Sequence, residues 1–142
     1  MIPPLNSVSA RDIAVSGLRA QRLRMNLIAN NIANAETTRT PEGGPFRRQI
    51  AVFRGNEIKA GANPEKLGVR VKRVVGDPAP FKEVFDPSHP DANVDGYVQY
   101  PNVQLAVEMA NLVSAQRAYE ANVAVVVTSS RMSEAALEIL QR

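Results

Sequence analysis

Apolar side chains recur at alternating spacings of four and three residues near both ends of this chain, and the middle lacks that rhythm. The first series is Ala14, Leu18, Gln21, Met25, Ile28, Ile32 and Ala35. It is a heptad seam with one polar interruption, and it predicts a helix over 9–36 that Ser9 or Asp12 can cap. The second series is Leu105, Met109, Leu112, Gln116, Tyr119, Val123, Val126, Ser130, Ser133, Leu137 and Leu140. It predicts a helix within 103–142, and about 36 residues at 1.5 Å each make about 54 Å. A helix of that length without Gly or Pro asks for a coiled-coil partner, and the first helix is the obvious one. Glutamine interrupts both seams in the same context, Ala20-Gln21-Arg22 and Ala115-Gln116-Arg117. A polar seam residue can fix register; a surface-leaning seam position is the alternative.

Between the helices the period changes. Thr37–Pro45 (TTRTPEGGP) ends the first helix in loop chemistry. Alternating or β-branched runs at Phe46–Phe53, Val69–Val75, Phe81–Phe85 and Tyr97–Tyr100 are strand candidates. Gly- and Pro-bearing segments separate them, and Asp86–Asp95 (DPSHPDANVD) is too proline-rich for regular structure. The expected organisation is a flexible leader over 1–8, helices over 9–36 and 103–142 forming one helical domain, and a β-rich or irregular insert over 37–102. The fold class is mainly α with a small β-rich insert: an elongated molecule whose N- and C-terminal helices pair as an antiparallel-type coiled coil.

The first helix has an unusual back. Met25–Ala35 (MNLIANNIANA) contains four asparagines and no charge, although each asparagine costs a helix up to about 0.7 kcal/mol against alanine. At 100° per residue Asn26, Asn30 and Asn34 form one stripe, about 180° from the Met25/Ile28/Ile32 seam. Solvated faces normally carry lysine and glutamate. Ala121–Ser130 (ANVAVVVTSS) repeats the anomaly on the second helix. A helix neutral on all sides is normally buried on all sides, and so small a chain cannot do that alone. Neighbouring subunits are the expected cover. Gln21, Asn26, Asn30, Asn31, Asn34, Gln116 and Asn122 are the candidate polar packing residues, and Met25, Ile28, Ile32, Leu112, Tyr119 and Val123 the candidate seam.

Composition narrows the chemistry. There is no cysteine, which removes disulfides, thiolate metal sites and thiol nucleophiles. Met1–Arg19 lacks the pattern of a secretory signal, and no apolar run is long enough to predict a membrane span. Residues 1–75 carry 13 basic and 5 acidic side chains, residues 76–142 carry 4 and 9. The asymmetry fits nucleic-acid binding or attraction between the halves. Arg19/Arg22/Arg24, Arg47/Arg48 and Arg70/Lys72/Arg73 fall on three separate elements, with no aromatic RNA-binding pattern or helix-turn-helix spacing. Solvated faces or salt bridges to the acidic half are favoured, and no nucleic-acid partner is expected. His89 stands among Asp86, Asp91 and Asp95, but one histidine between Pro87 and Pro90 reads as a structured surface loop rather than a metal site. Gly43-Gly44 lacks the lysine and helix of a phosphate loop, and no G-x-S-x-G elbow is present. No enzyme, cofactor or metal is expected.

Residues 13–38 (IAVSGLRAQRLRMNLIANNIANAETT) resemble the N-terminal signature of the flagellar axial family of rod and hook subunits. TRTPEGGPFRRQIAVF (38–53), FDPSHPDANVDGYVQYPNV (85–103) and SAQRAYEANV (114–123) are similar to its proximal-rod members. The resemblance implies a structural subunit of the basal-body rod, a hollow helical drive shaft crossing the periplasm. It implies export through the flagellar type III channel without a cleaved signal peptide. It also implies neighbours that are other copies of the chain and FlgB-, FlgF- and FliE-type rod proteins. Terminal segments in this family are disordered before assembly and pair as helices within it. A coiled-coil adaptor or export chaperone is the competing reading, and a folded helical monomer in dilute solution would favour it.

Overall fold

The computed structural model describes residues 10–55 and 67–140. The expected leader lies outside these residues. Six elements follow in order: α1 (Ala10–Ala33), β1 (Gln49–Gly55), β2 (Val69–Gly76), β3 (Lys82–Phe85), β4 (Tyr97–Tyr100) and α2 (Leu105–Leu140). The expected fold class is the one observed: two long terminal helices with small antiparallel sheets between them.

Two features stop α1 and start the insert. The amide of Asn34 still donates to the Asn30 carbonyl at 3.1 Å, after which the chain turns through Thr37. The Thr40–Gly44 turn then closes on itself, with Gly43 and Gly44 at positive φ, where glycine is at no steric disadvantage. β1 and β2 form an antiparallel hairpin with Gln49 opposite Gly76 and Gly55 opposite Val69. A register shift at Val52/Phe53 skips Lys72 and bends the ladder. β3 and β4 pair with Lys82 opposite Tyr100 and Phe85 opposite Tyr97. The sheets are separate, and β1 and β2 both lie on α1.

The helices run antiparallel: Asn31 near the end of α1 meets Glu108 near the start of α2, and Gly17 lies against Asn122. Their contact uses small residues. Ala14, Gly17 and Ala20 are buried on α1, and Ala115 is fully buried on α2. Gly17 permits the close approach, since a Cβ there would sit 2.7 Å from Asn122 Oδ1. Helical glycine costs about 1 kcal/mol against alanine, so Gly17→Ala gains propensity and loses packing. Gly17→Val has no compensation. It is expected to cost about 1–3 kcal/mol by overpacking, read as a lower unfolding midpoint of the paired helices; an unchanged midpoint would refute the close-packed contact.

The second seam corrects the sequence reading. Burial on α2 falls on Glu108, Leu112, Ala115, Tyr119, Asn122 and Val126, while Met109, Gln116 and Val123 are exposed. The seam runs one residue earlier than bulk suggests at these positions: Asn122 packs on Gly17, Ala115 is fully buried, and Glu108 is drawn in by Asn31 and Arg48. Ala115, not Gln116, enters the contact, and Gln116 Nε2 donates to Glu120 Oε1 on the surface at 3.0 Å. The two glutamines therefore do not form a matched pair.

α1 has 24 residues and α2 has 36, so α2 overruns its partner. Residues 131–139 are exposed throughout, Met132, Leu137 and Ile139 included. No helix among the described residues is long and apolar enough to cross a membrane.

Candidate functional site

Five segments meet where the insert joins the helix pair, and polar groups make the joint. α1 brings Asn31, which is 1% exposed. Its Nδ2 donates to the Gln49 carbonyl and to Glu108 Oε2, both at 2.9 Å, and its Oδ1 accepts from the Gln49 amide at 2.8 Å. One side chain thus pairs both main-chain groups of a β1 residue, as a neighbouring strand would. Only an amide carries donor and acceptor in that arrangement.

α2 brings Glu108, with no exposed surface at all. Arg48, the residue before β1, answers it. Arg48 Nε and Nη2 reach Glu108 Oε1 at 2.8 and 2.7 Å, and Nη1 reaches Asp77 Oδ2 at 2.9 Å. A buried carboxylate is tolerated only when paired and hydrogen-bonded, and both Glu108 oxygens are occupied. Burial acts to lower the Arg48 pKa, but the hydrogen bonds and charges of Glu108 and Asp77 outweigh it and raise the pKa above the ordinary value. The Ala79 amide first, then Arg48, hold the Asp77 carboxyl below the usual range. Asn102, just before α2, closes the ring: its Oδ1 accepts from the Arg48 amide at 2.9 Å, and its Nδ2 donates to the Asp77 and Ala79 carbonyls. The Arg48–Asp77 and Arg48–Glu108 pairs join the basic half of the chain to the acidic half.

This joint positions and has no reactive group. The Asp86–Asp95 loop likewise uses its polar atoms internally. His89 Nδ1 accepts from the Asp91 amide at 3.1 Å, Asp91 accepts from Thr38 Oγ1 at 2.8 Å and pairs with Arg39, and Asp86 Oδ1 accepts from Ser88. No group of three His, Cys, Asp or Glu among the described residues could hold a metal ion.

The candidate residues separate into distinct environments. Ile28 is buried between the helices, and Met25, Ile32, Leu112 and Tyr119 are half-buried. Gln21 is half-buried, with its Oε1 buried and unpartnered among the described residues. Asn122 covers Gly17 and donates to the Ala118 carbonyl at 2.8 Å. Of the asparagines, Asn31 belongs to the chain's own interior, so no neighbouring subunit is needed to cover it. Asn34 Nδ2 donates to Asn30 O and Oδ1, and Asn30 Nδ2 reaches Gln49 Oε1 at 3.4 Å. Asn26 and Asn30 remain exposed. Sequence reasoning missed Glu108, and named Arg48 only within a basic group expected on solvated faces or in salt bridges to the acidic half. A signal existed for the first: Glu108 is the one charged residue between Pro101 and Gln116.

Comparison with known proteins gives the family. Residues 12–39, which carry Asn31, match the family described as "Flagella basal body rod protein". Residues 94–139, which carry Asn102 and Glu108, match "Flagellar basal body rod FlgEFG protein C-terminal". The flagellar basal-body rod protein FlgC of Borreliella burgdorferi is 46% identical, with 94% of this chain and 97% of that one covered. The FlgC of Yersinia enterocolitica is 44% identical over 85% of this chain and 88% of that one. The FlgC of Bacillus subtilis is 38% identical over 90% and 94%. These relatives are structural rod proteins, so the adaptor and chaperone readings fall away. The chain belongs to the FlgC family of flagellar basal-body rod proteins, structural subunits of the rod.

Proposed function

We propose that this subunit enters the rod by burying the outward faces of its helix pair against neighbouring pairs, and that its neighbours are further copies and FlgB-, FlgF- and FliE-type rod proteins. The observation that carries this reading is the outer face of α2. Met109, Val113, Val125 and Val127 are 53%, 50%, 44% and 43% exposed, on a helix whose 121–130 stretch has no charge. Large apolar side chains left exposed along the outward side of a helix mark a contact. On α1, Asn26 and Asn30 supply exposed donors and acceptors for such a contact. Residues 9–36 and 103–142 act as one assembly unit, with the 37–102 insert carried on it through the Asn31–Glu108–Arg48 joint. Delivery is through the flagellar type III export apparatus.

Electron cryotomography of cells lacking the gene tests the role. The membrane ring and export gate should remain, the rod should be absent or stunted, and the gene in trans should restore it; full-length rods would refute it. Asn30→Asp tests the stripe. A carboxylate with no counter-ion is costly to bury at an interface, whereas on an exposed helix face it changes stability by no more than about 0.5 kcal/mol. The variant should be exported and soluble yet fail to extend rods. Normal rods from it would remove the asparagines from the contact.

A further inference from the structure

Two surfaces of this subunit are exposed and unmatched among the described residues. The first is the turn before β4. Asn93 Oδ1 accepts from the Asp95 and Tyr97 amides at 3.0 and 2.9 Å, and Gly96 takes φ +81°, a conformation L side chains rarely adopt. The turn holds Val94 wholly in solvent, 104% exposed, next to Asp95. Phe85 and Tyr97, packed edge to face with centroids 5.2 Å apart, are exposed at the base of the same turn. A lone exposed valine needs no explanation. An apolar cluster on a hydrogen-bonded turn is a presented shape.

The second surface is a groove of about 380 Å³ between α1 and β2. Ala20, Leu23, Val69 and Val71 contribute its apolar lining, with Arg19 and Arg70 beside them. Its geometry is tied down by Ser16, whose Oγ accepts from the Val69 amide at 3.0 Å and donates to the Ile13 carbonyl at 2.6 Å. Gly68 lets the backbone come that near, since a Cβ there would collide with Ser16 Oγ. Arg19 and Arg70 make no ion pair among the described residues, and neither does Asp95.

One surface is an apolar knob beside an acid; the other is an apolar hollow beside two arginines. They cannot meet within one subunit. The knob's loop is fastened beyond the end of α1, where Asp91 holds Thr38 and Arg39. The groove is centred near Ala20, and the 13 helical residues from there to Ala33 alone span about 20 Å. We propose that the Val94–Asp95 turn of one copy docks in the α1–β2 groove of a second copy, with Asp95 between Arg19 and Arg70. The contact joins two different patches, so it does not close on itself as a two-fold dimer would, and repetition gives a ring or a helix. It rests on the rod-subunit reading and names one contact within it. The groove continues the upper end of the asparagine stripe, since Arg19, Leu23, Asn26 and Asn30 share one face of α1.

Charge reversal tests this without disturbing the fold, because both residues are exposed. Asp95→Arg and Arg70→Asp should each lower the number of rod-bearing basal bodies at least tenfold, and the double variant should restore it to within twofold. Rescue between positions so far apart in one chain can arise only between copies. Singles that assemble normally, or a double no better than the worse single, overturn the proposal. Cross-linking gives an independent reading, since the chain has no cysteine of its own. Cells carrying one chain with Val94→Cys and another with Val71→Cys should yield a disulfide-linked dimer in isolated basal bodies, absent when either chain is present alone. Basal bodies that contain both chains without the dimer overturn the docking. Basal bodies that contain neither chain overturn the rod reading, and the contact with it.

Discussion

Glu108→Ala is expected to leave export intact and to reduce rod-bearing basal bodies more than a hundredfold. The substitution removes one member of a buried ion pair and strands the other. Arg48 keeps Asp77, but its Nε and Nη2 lose their acceptor, and Asn31 Nδ2 loses one of its two. Breaking a buried pair from one side costs about 3–5 kcal/mol, and 1.4 kcal/mol is a factor of ten. The cost falls on the joint that fixes the insert to both helices, so a subunit in which it fails presents its faces in no single arrangement. Glu108→Gln should lie between wild type and alanine, because the side-chain carbonyl can still accept from Arg48. Glu42→Ala, on the exposed Thr40–Gly44 turn, is the control and should assemble normally. The measurement is a count of rods by electron cryotomography with the exported subunit quantified. Normal rods from the alanine variant would show that the joint is dispensable.

Asn31→Asp is the second large effect, from a change of one atom. The carboxylate would lie where an amide now donates at 2.9 Å to Glu108 Oε2 and to the Gln49 carbonyl. Both acceptors would face a like-charged or electron-rich group. Each stranded buried group costs about 1–3 kcal/mol, and two carboxylates in contact cannot both remain ionised cheaply. Rod formation should fall at least tenfold. Combining the variant with Glu108→Gln offers a donor to the new carboxylate, so the pair should be less damaging than the sum of the singles, the coupling expected of groups in contact. Simple addition would mean that the two side chains act apart. The contrast with Asn30→Asp is informative: the next residue in sequence lies 100° round the helix, and there the same change should spare the subunit and affect only the assembled rod.

The helices and strands were legible because a period survives in the sequence whatever the partner. Apolar residues three and four apart predicted α1 and α2, and the short β-branched runs predicted four strands close to where they lie. The phase of the second seam was less legible. Bulk pointed to Met109, Gln116 and Val123, whereas close approach at Gly17 selected Asn122, and Ala115 is the fully buried residue beside Gln116. A contact decided by what a glycine leaves open on another helix is invisible in the pattern of one helix alone. The joint was hidden for a related reason. Arg47 and Arg48 are adjacent in sequence, yet the first stacks on Phe81 at the surface, 4.2 Å from the ring centroid, and the second holds Glu108. Composition cannot distinguish them. The isolated charge of Glu108 in an uncharged run, and the single glycine of α1, were the local anomalies that marked the two tightest places in the fold.

The β1–β2 hairpin is held to the helices at both of its ends. Its base, at Arg48–Gln49 and Asp77, is locked to both helices; its far end, about 20 Å away along β1, is held to α1 where Ser16 Oγ accepts from the Val69 amide. The hairpin therefore lies along α1 and is fastened to it at two levels. A sideways load on the insert is shared between two anchor points along one helix instead of being levered onto a single joint.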